Sequence, residues 1–61
     1  MTELDLLRQK LRTRMNEIAD ALAMGGAQDY PAYTKMVGVI EGLAFAERDI
    51  LDLIERIERQ D

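Results

Sequence analysis

The sequence contains no cysteine, no histidine and no serine, only one proline and one phenylalanine, and two tyrosines. Each absence removes a class of chemistry. Without cysteine there is no disulfide to brace a short chain, and the composition fits a reducing compartment. Without cysteine or histidine, a structural metal site would have to be built from carboxylates alone, which is uncommon for zinc. Without serine, cysteine or histidine, the usual nucleophiles and the neutral-pH proton shuttle are missing, and no spacing suggests an enclosed pair of carboxylates. The sequence therefore predicts no enzyme, no catalytic residue, no metal and no cofactor. It also lacks an apolar run long enough to span a bilayer and a basic-then-apolar leader, which predicts a soluble intracellular protein with no membrane partner.

What is present reads as folded and helical. Of the 61 residues, 48% are hydrophobic and 33% charged, outside the composition of a disordered tail. The formal net charge is −4, which argues against a nucleic-acid partner because a phosphate backbone would be repelled overall. A chain this short gains little net stability from its own core, since ordering each residue costs roughly 1.5 kcal/mol. With disulfides and metals excluded, oligomerisation is the remaining way to bury enough apolar surface.

Along the chain, Thr2 followed by Asp5 makes a capping-box start for a first helix. Its apolar positions are Leu4, Leu7, Leu11, Met15, Ile18 and Leu22, a stripe of ordinary width. That stripe repeats after eleven residues, a period that predicts little left-handed supercoil. Gly25 and Gly26 end the helix, because glycine takes the left-handed conformation of a C-cap without steric cost. After a short connection Asp29 caps a second helix, with Pro31 in its first turn where the missing N–H costs nothing. The prediction is an all-α fold, a single domain over 1–61: an antiparallel two-helix hairpin, about 3–24 and 30–59, that pairs into a four-helix bundle or a higher assembly. The register about the turn places Leu22 near Tyr33, Ile18 near Val37, Met15 near Ile40, Leu11 near Ala44, Leu4 near Leu51 and Met1 opposite Ile54. Leu7, Leu11, Met15, Ile18, Val37, Ile40 and Leu51 are then expected to hold the hairpin. Arg48 with Asp52, Asp52 with Arg56, and Glu55 with Arg59 stand at i, i+4 on a solvated face.

The second helix is apolar over roughly 200° of its circumference, wider than the stripe of a helix packed on one core. Tyr33, Val37, Ile40, Ala44, Leu51 and Ile54 form one flank. Val39, Gly42, Leu43, Ala46, Ile50, Leu53 and Ile57 form the other and are the candidate oligomer interface. Ile57 has no counterpart in the first helix. Gly38, Gly42 and Ala46 repeat at a spacing that allows two such helices to approach closely, although each interior glycine costs about 1 kcal/mol relative to alanine. Phe45, with Gly38 and Glu41 beside it, lies opposite the band and is a candidate anchor for a protein partner; a lone exposed aromatic can equally be without a role. Glu47 falls inside the band beside Arg8, so Arg8 or Arg12 is expected as its partner, with the polar group setting the register of the helices. The other basic residues of this stretch, Lys10 and Arg14, lie across the stripe from Arg8 and Arg12, so the four do not make a convergent basic patch. Asp49, Asp52 and Glu55 read as a solvated face in preference to a metal site.

Over Val37-Gly38-Val39-Ile40-Glu41-Gly42-Leu43-Ala44 and Ala46-Glu47-Arg48-Asp49-Ile50-Leu51-Asp52-Leu53, the sequence resembles short helical proteins encoded by tailed bacteriophages and prophages near their head-assembly genes. The likeness extends to Met15-Asn16-Glu17-Ile18-Ala19-Asp20 and to the Gly25-Gly26 turn. It implies a phage setting: a structural or assembly component in the bacterial cytoplasm or the virion, with itself and other phage structural proteins as partners. Some of those proteins carry cysteine and histidine at the turn; this chain has neither, so no metal role is carried over. Two other functions remain open on the residues alone: a regulatory adaptor that binds a host protein through Phe45, and an RNA-binding hairpin dimer in which Arg8, Lys10, Arg12 and Arg14 converge across subunits.

Overall fold

A computed structural model describes residues 2–59, and the expected pairing of Met1 with Ile54 lies outside the described residues. Two helices, α1 (Glu3–Ala23) and α2 (Tyr30–Arg59), pack on each other as an all-helical hairpin. Local sequence explains both ends of each. Thr2 is the N-cap of α1 and closes a full capping box: its Oγ1 accepts from the Asp5 N–H at 3.2 Å, and its own N–H donates to Asp5 Oδ2 at 3.2 Å. The Thr2 hydroxyl also donates to that carboxylate at 3.0 Å.

These bonds hold the Asp5 carboxyl below its ordinary value of 3.8, the backbone N–H of Thr2 contributing most and its hydroxyl next. A depressed pKa means that this carboxylate stabilises the fold fully above 3.8 and ceases to do so as pH falls through its lower native value. An NMR acid titration is expected to show the Asp5 side chain and the Thr2 amide moving together below 3.8, with fraying confined to the first turn of α1. A midpoint at or above that value would mean the box does not persist in solution.

The other end of α1 is a Schellman turn. Gly25 stands at φ 77°, its N–H donates to Leu22 O at 3.1 Å, and the Gly26 N–H donates to Ala21 O at 2.7 Å. Met24 is therefore the cap, and α1 ends one residue short of the expected 24. The two glycines are needed for different reasons. Gly25 occupies a backbone conformation that costs other residues about 1–2 kcal/mol, whereas a Cβ on Gly26 would lie 2.7 Å from the Ala21 carbonyl oxygen. Gly26→Ala is thus expected to destabilise the chain by about 2 kcal/mol through forced backbone movement. Gly38→Ala, where a Cβ meets nothing within 4 Å, is expected to stabilise the hairpin by up to about 1 kcal/mol. Urea denaturation of the two variants checks the sign of each. Downstream, Asp29 Oδ1 accepts from the Ala32 N–H at 2.8 Å and so starts α2, with Pro31 in the first turn.

Packing departs from the expected seam at particular residues. On α1 the positions turned toward α2 are Leu4, Arg8, Leu11, Met15, Ile18 and Leu22; on α2 they are Met36, Ile40, Leu43, Glu47, Ile50 and Ile54, all at least partly covered. Both series advance by alternating steps of four and three, the heptad spacing of a coiled-coil seam. Leu7, expected to hold the hairpin, is instead exposed, and Arg8 takes its place because its charge has a partner on α2. The eleven-residue repeat therefore does not describe the covered stripe. Tyr33 and Leu51 are likewise exposed, since the seam of α2 is centred between the two flanks drawn from the sequence. Of the three expected i, i+4 ion pairs only Arg59 with Glu55 closes, at 3.9 Å, among the described residues. Both of its members are exposed, where such pairs contribute little and compete with hydration.

α2 has 30 residues and α1 has 21, so α2 is longer by about 13 Å at 1.5 Å per residue. The hairpin is a flat rod of 50 × 17 × 12 Å, a single layer of two helices.

Candidate functional site

Two features stand out from this frame: a charged clamp inside the seam and an apolar face outside it. Glu47 sits mid-way along α2 with its carboxylate directed at α1. At 6% exposure it and Met15, at 8%, are the most completely covered of the described residues. Arg12 grips it with both arms of the guanidinium, Nε donating to Oε2 at 3.0 Å and Nη2 donating to Oε1, the bidentate geometry that makes arginine–carboxylate pairs specific. Arg8 Nη1 stands 3.9 Å from Oε2, and Arg8 Nε is enclosed without a hydrogen-bond partner. Arg8 therefore supplies charge to the cluster more than hydrogen bonding. The residues named from sequence as Glu47 and its partners Arg8 and Arg12 are thus brought together across the two helices. A carboxylate held in this way fixes the rotation and axial position of α2 on α1, because sliding by one turn would break the two-armed Arg12 pair and leave Glu47 beside at most one of the two guanidiniums.

The candidate interface residues divide. Leu43 and Ile50, expected at the oligomer interface, belong instead to the hairpin seam, and Ala46 is half-covered beside it, while Val39, Leu53 and Ile57, at 43–49% exposure, and Gly42 stand outside it. Val39 also lines a shallow apolar depression together with Ile18, Ala21 and Met36, with Glu17 and Lys35 at its rim. This depression puts part of α1 on the same face as Val39. Leu7, three turns before Ile18, lies on that side as well by helical phase. The depression was not named from the sequence. The signal was Ala21, which continues the line of Leu7 and Ile18 beside the main stripe and reads as a neutral surface alanine until α2 is in place. Phe45 is 63% exposed on the outer side of α2, with Gly38 and Glu41 exposed near it and no atom over the Gly38 backbone.

Area shows how unfinished this surface is. A folded chain of 7.0 kDa exposes about 4,000 Å² by the usual scaling of surface with mass, whereas this hairpin exposes 5010 Å². The excess of about 1,000 Å² matches what one partner gives to a standard protein interface, about 800 Å². Its cause is the single-layer rod: two helices alone have no third side to cover.

No family model, curated protein or solved structure matches this chain. Among the described residues no group of three or more metal-ligating side chains gathers, and no helix is long and apolar enough to cross a membrane. Lys10 and Arg14 line a shallow surface of α1 with Leu6, Leu7 and Thr13, away from the clamp that engages Arg8 and Arg12. The four basic residues thus divide between the two sides of α1.

Proposed function

We propose that this protein is a small structural or assembly component that works by homo-oligomerisation and protein contacts and has no catalytic role of its own. The observation that carries the reading is the apolar face of Val39, Leu53, Ile57 and the depression beside them, on a hairpin that exposes 5010 Å². A surface of this kind on so short a chain is a contact surface or an aggregation hazard. The setting is a tailed phage, in the host cytoplasm or the virion, with other phage structural proteins as further partners. That setting rests on the resemblance carried by Val37–Ala44 and Ala46–Leu53.

Sedimentation equilibrium over a dilution series, with helicity followed by circular dichroism, tests the reading. The expected result is a mass of two or more chains with helix lost on dilution, because folding and association are then linked by mass action. A stable helical monomer at all concentrations overturns it. The exposure of Phe45 supports a second reading, an adaptor that holds a host protein through the outer face of α2. Phe45→Glu would abolish such binding and leave the oligomer intact.

A further inference from the structure

We infer that the second copy docks on this face antiparallel, α2 against α2, about a two-fold axis beside Ala46, so that Ile57 of each chain enters the depression of the other. The inference rests on the self-association proposed above and specifies its geometry. Four observations support it.

The first is spacing. Val39 and Leu53 stand seven residues either side of Ala46, Gly42 and Ile50 four, Lys35 and Ile57 eleven. An antiparallel two-fold at Ala46 therefore sets Val39 against Leu53, Gly42 against Ile50 and Lys35 against Ile57, in both directions at once, as an isologous interface requires.

The second is size. In that order Gly42 meets Ile50 on both sides of the Ala46 pair and Val39 meets Leu53 beyond it, so bulk is shared between the two ends of the contact and the helices can stay evenly spaced. A parallel in-register pair would set Gly42 against Gly42 and Ala46 against Ala46, then Ile50, Leu53 and Ile57 against themselves. Such a pair is pinched in the middle and forced apart at one end, which wastes contact.

The third is the open backbone at Gly42. A Cβ there would meet nothing within 4 Å and the residue is helical with ordinary φ, so no contact inside the chain requires a glycine that costs about 1 kcal/mol. Close approach of the partner's Ile50 supplies a reason.

The fourth is the overhang. Ile57 lies about 16 Å along α2 from Ala46, and so does Lys35 in the other direction. The end of α2 that outruns its own α1 thereby falls over the partner's Lys35, at the rim of the depression lined by Ile18, Ala21, Met36 and Val39. The Lys35 stem covers part of that apolar surface while its ammonium stays in water. Both gaps, an apolar knob without a hole and a hole without a knob, are closed by one operation. The area left exposed by the monomer is of the size that a second copy would cover.

The chain has no cysteine, so introduced ones report cleanly. Full-length Val39→Cys and Leu53→Cys would each be oxidised alone, and mixed, in a glutathione buffer. The expected result is at least tenfold more disulfide-linked dimer in the mixture than in either variant alone, because only unlike positions face each other. Ala46→Cys is expected to link to itself. Efficient self-linkage of Leu53→Cys would indicate a parallel pair and overturn the geometry, as would a dimer linked through Phe45→Cys and through none of these positions. Sedimentation of the parent chain separates the two levels. A dimer without the expected links removes this geometry alone, whereas a monomer removes the self-association reading as well.

Discussion

Reversing Glu47 to Arg is expected to leave the chain largely unfolded at room temperature. The substitution removes the one carboxylate that, among the described residues, Arg8 and Arg12 contact across the helices and sets a third guanidinium at a position that is 6% exposed. Breaking a covered ion pair by removing one member costs about 3–5 kcal/mol because a desolvated charge is left without compensation. Arg8 and Arg12 retain partial access to water, so the lower part of that range applies. A core of this size supplies only about 3–5 kcal/mol in total, which the substitution consumes. Urea and thermal denaturation followed by circular dichroism measure the effect. The pairing account makes a stronger demand: Arg12→Glu combined with Glu47→Arg should recover most of the loss, since the fork-to-carboxylate geometry is restored with the ends exchanged. A double variant no more stable than Glu47→Arg would show that size and not charge matters at this position. Replacing Glu47 and Arg12 by leucine and methionine together is expected to be close to neutral in stability, because desolvation offsets much of the attraction between covered charges. What such a variant should lose is a single register.

Leu53→Asp is expected to weaken self-association by at least about a hundredfold, equivalent to about 2.7 kcal/mol, while changing the contacts within one hairpin little, so that helix forms only at a correspondingly higher chain concentration. Leu53 is 45% exposed and outside the α1–α2 seam, so within one chain the change is a surface substitution worth within about 0.5 kcal/mol. In a two-fold assembly it places two carboxylates in an apolar contact, each losing hydration without a partner. Leu51→Asp is the control. Leu51 is 42% exposed and nearly matches Leu53 in exposure and chemistry, but it lies on the opposite flank of α2. Sedimentation of both variants, with urea denaturation at two chain concentrations, decides the matter. Equal behaviour of the two would remove the Val39-to-Ile57 face as the contact surface. A loss of helix in Leu53→Asp that raising the chain concentration does not restore would place Leu53 in the hairpin core.

Much of this molecule is legible in sequence because its local signals are strong and independent. Thr2 with Asp5, Gly25 with Gly26, and Asp29 with Pro31 each mark a helix end by satisfying or sparing particular backbone groups, and such bonds reach only three to five residues along the chain. The Glu47 cluster was legible for a related reason: a charge inside an apolar stripe demands a partner, and an antiparallel hairpin brings only a few positions within reach. The centre of the seam was not legible. Leu7 and Arg8 are adjacent, and hydropathy favours Leu7, yet the helix faces Arg8 inward because one charge-assisted contact and the heptad period agree on it. A leucine left outside is one of several large apolar residues that this chain leaves exposed, and singly exposed apolar side chains are common on folded proteins. A rotation of α2 by about 60°, at 100° per residue, likewise carries Tyr33 and Leu51 out of the seam and brings Leu43 and Ile50 into it. It is also why the depression at Ile18, Ala21, Met36 and Val39 had no sequence signature: it belongs to no single helix.

The sequence by itself determined the helix ends, the hairpin connection, the excess of apolar surface on α2 and the need of Glu47 for a basic partner, since each depends on neighbours within a turn or two or on composition. The rotation of each helix about its axis, and with it the division of apolar residues between the hairpin seam and the outer face, was decided only by the tertiary structure. Rotation is set by the sum of many weak contacts and one clamp acting across two chain segments at once, and no single window of sequence contains that sum.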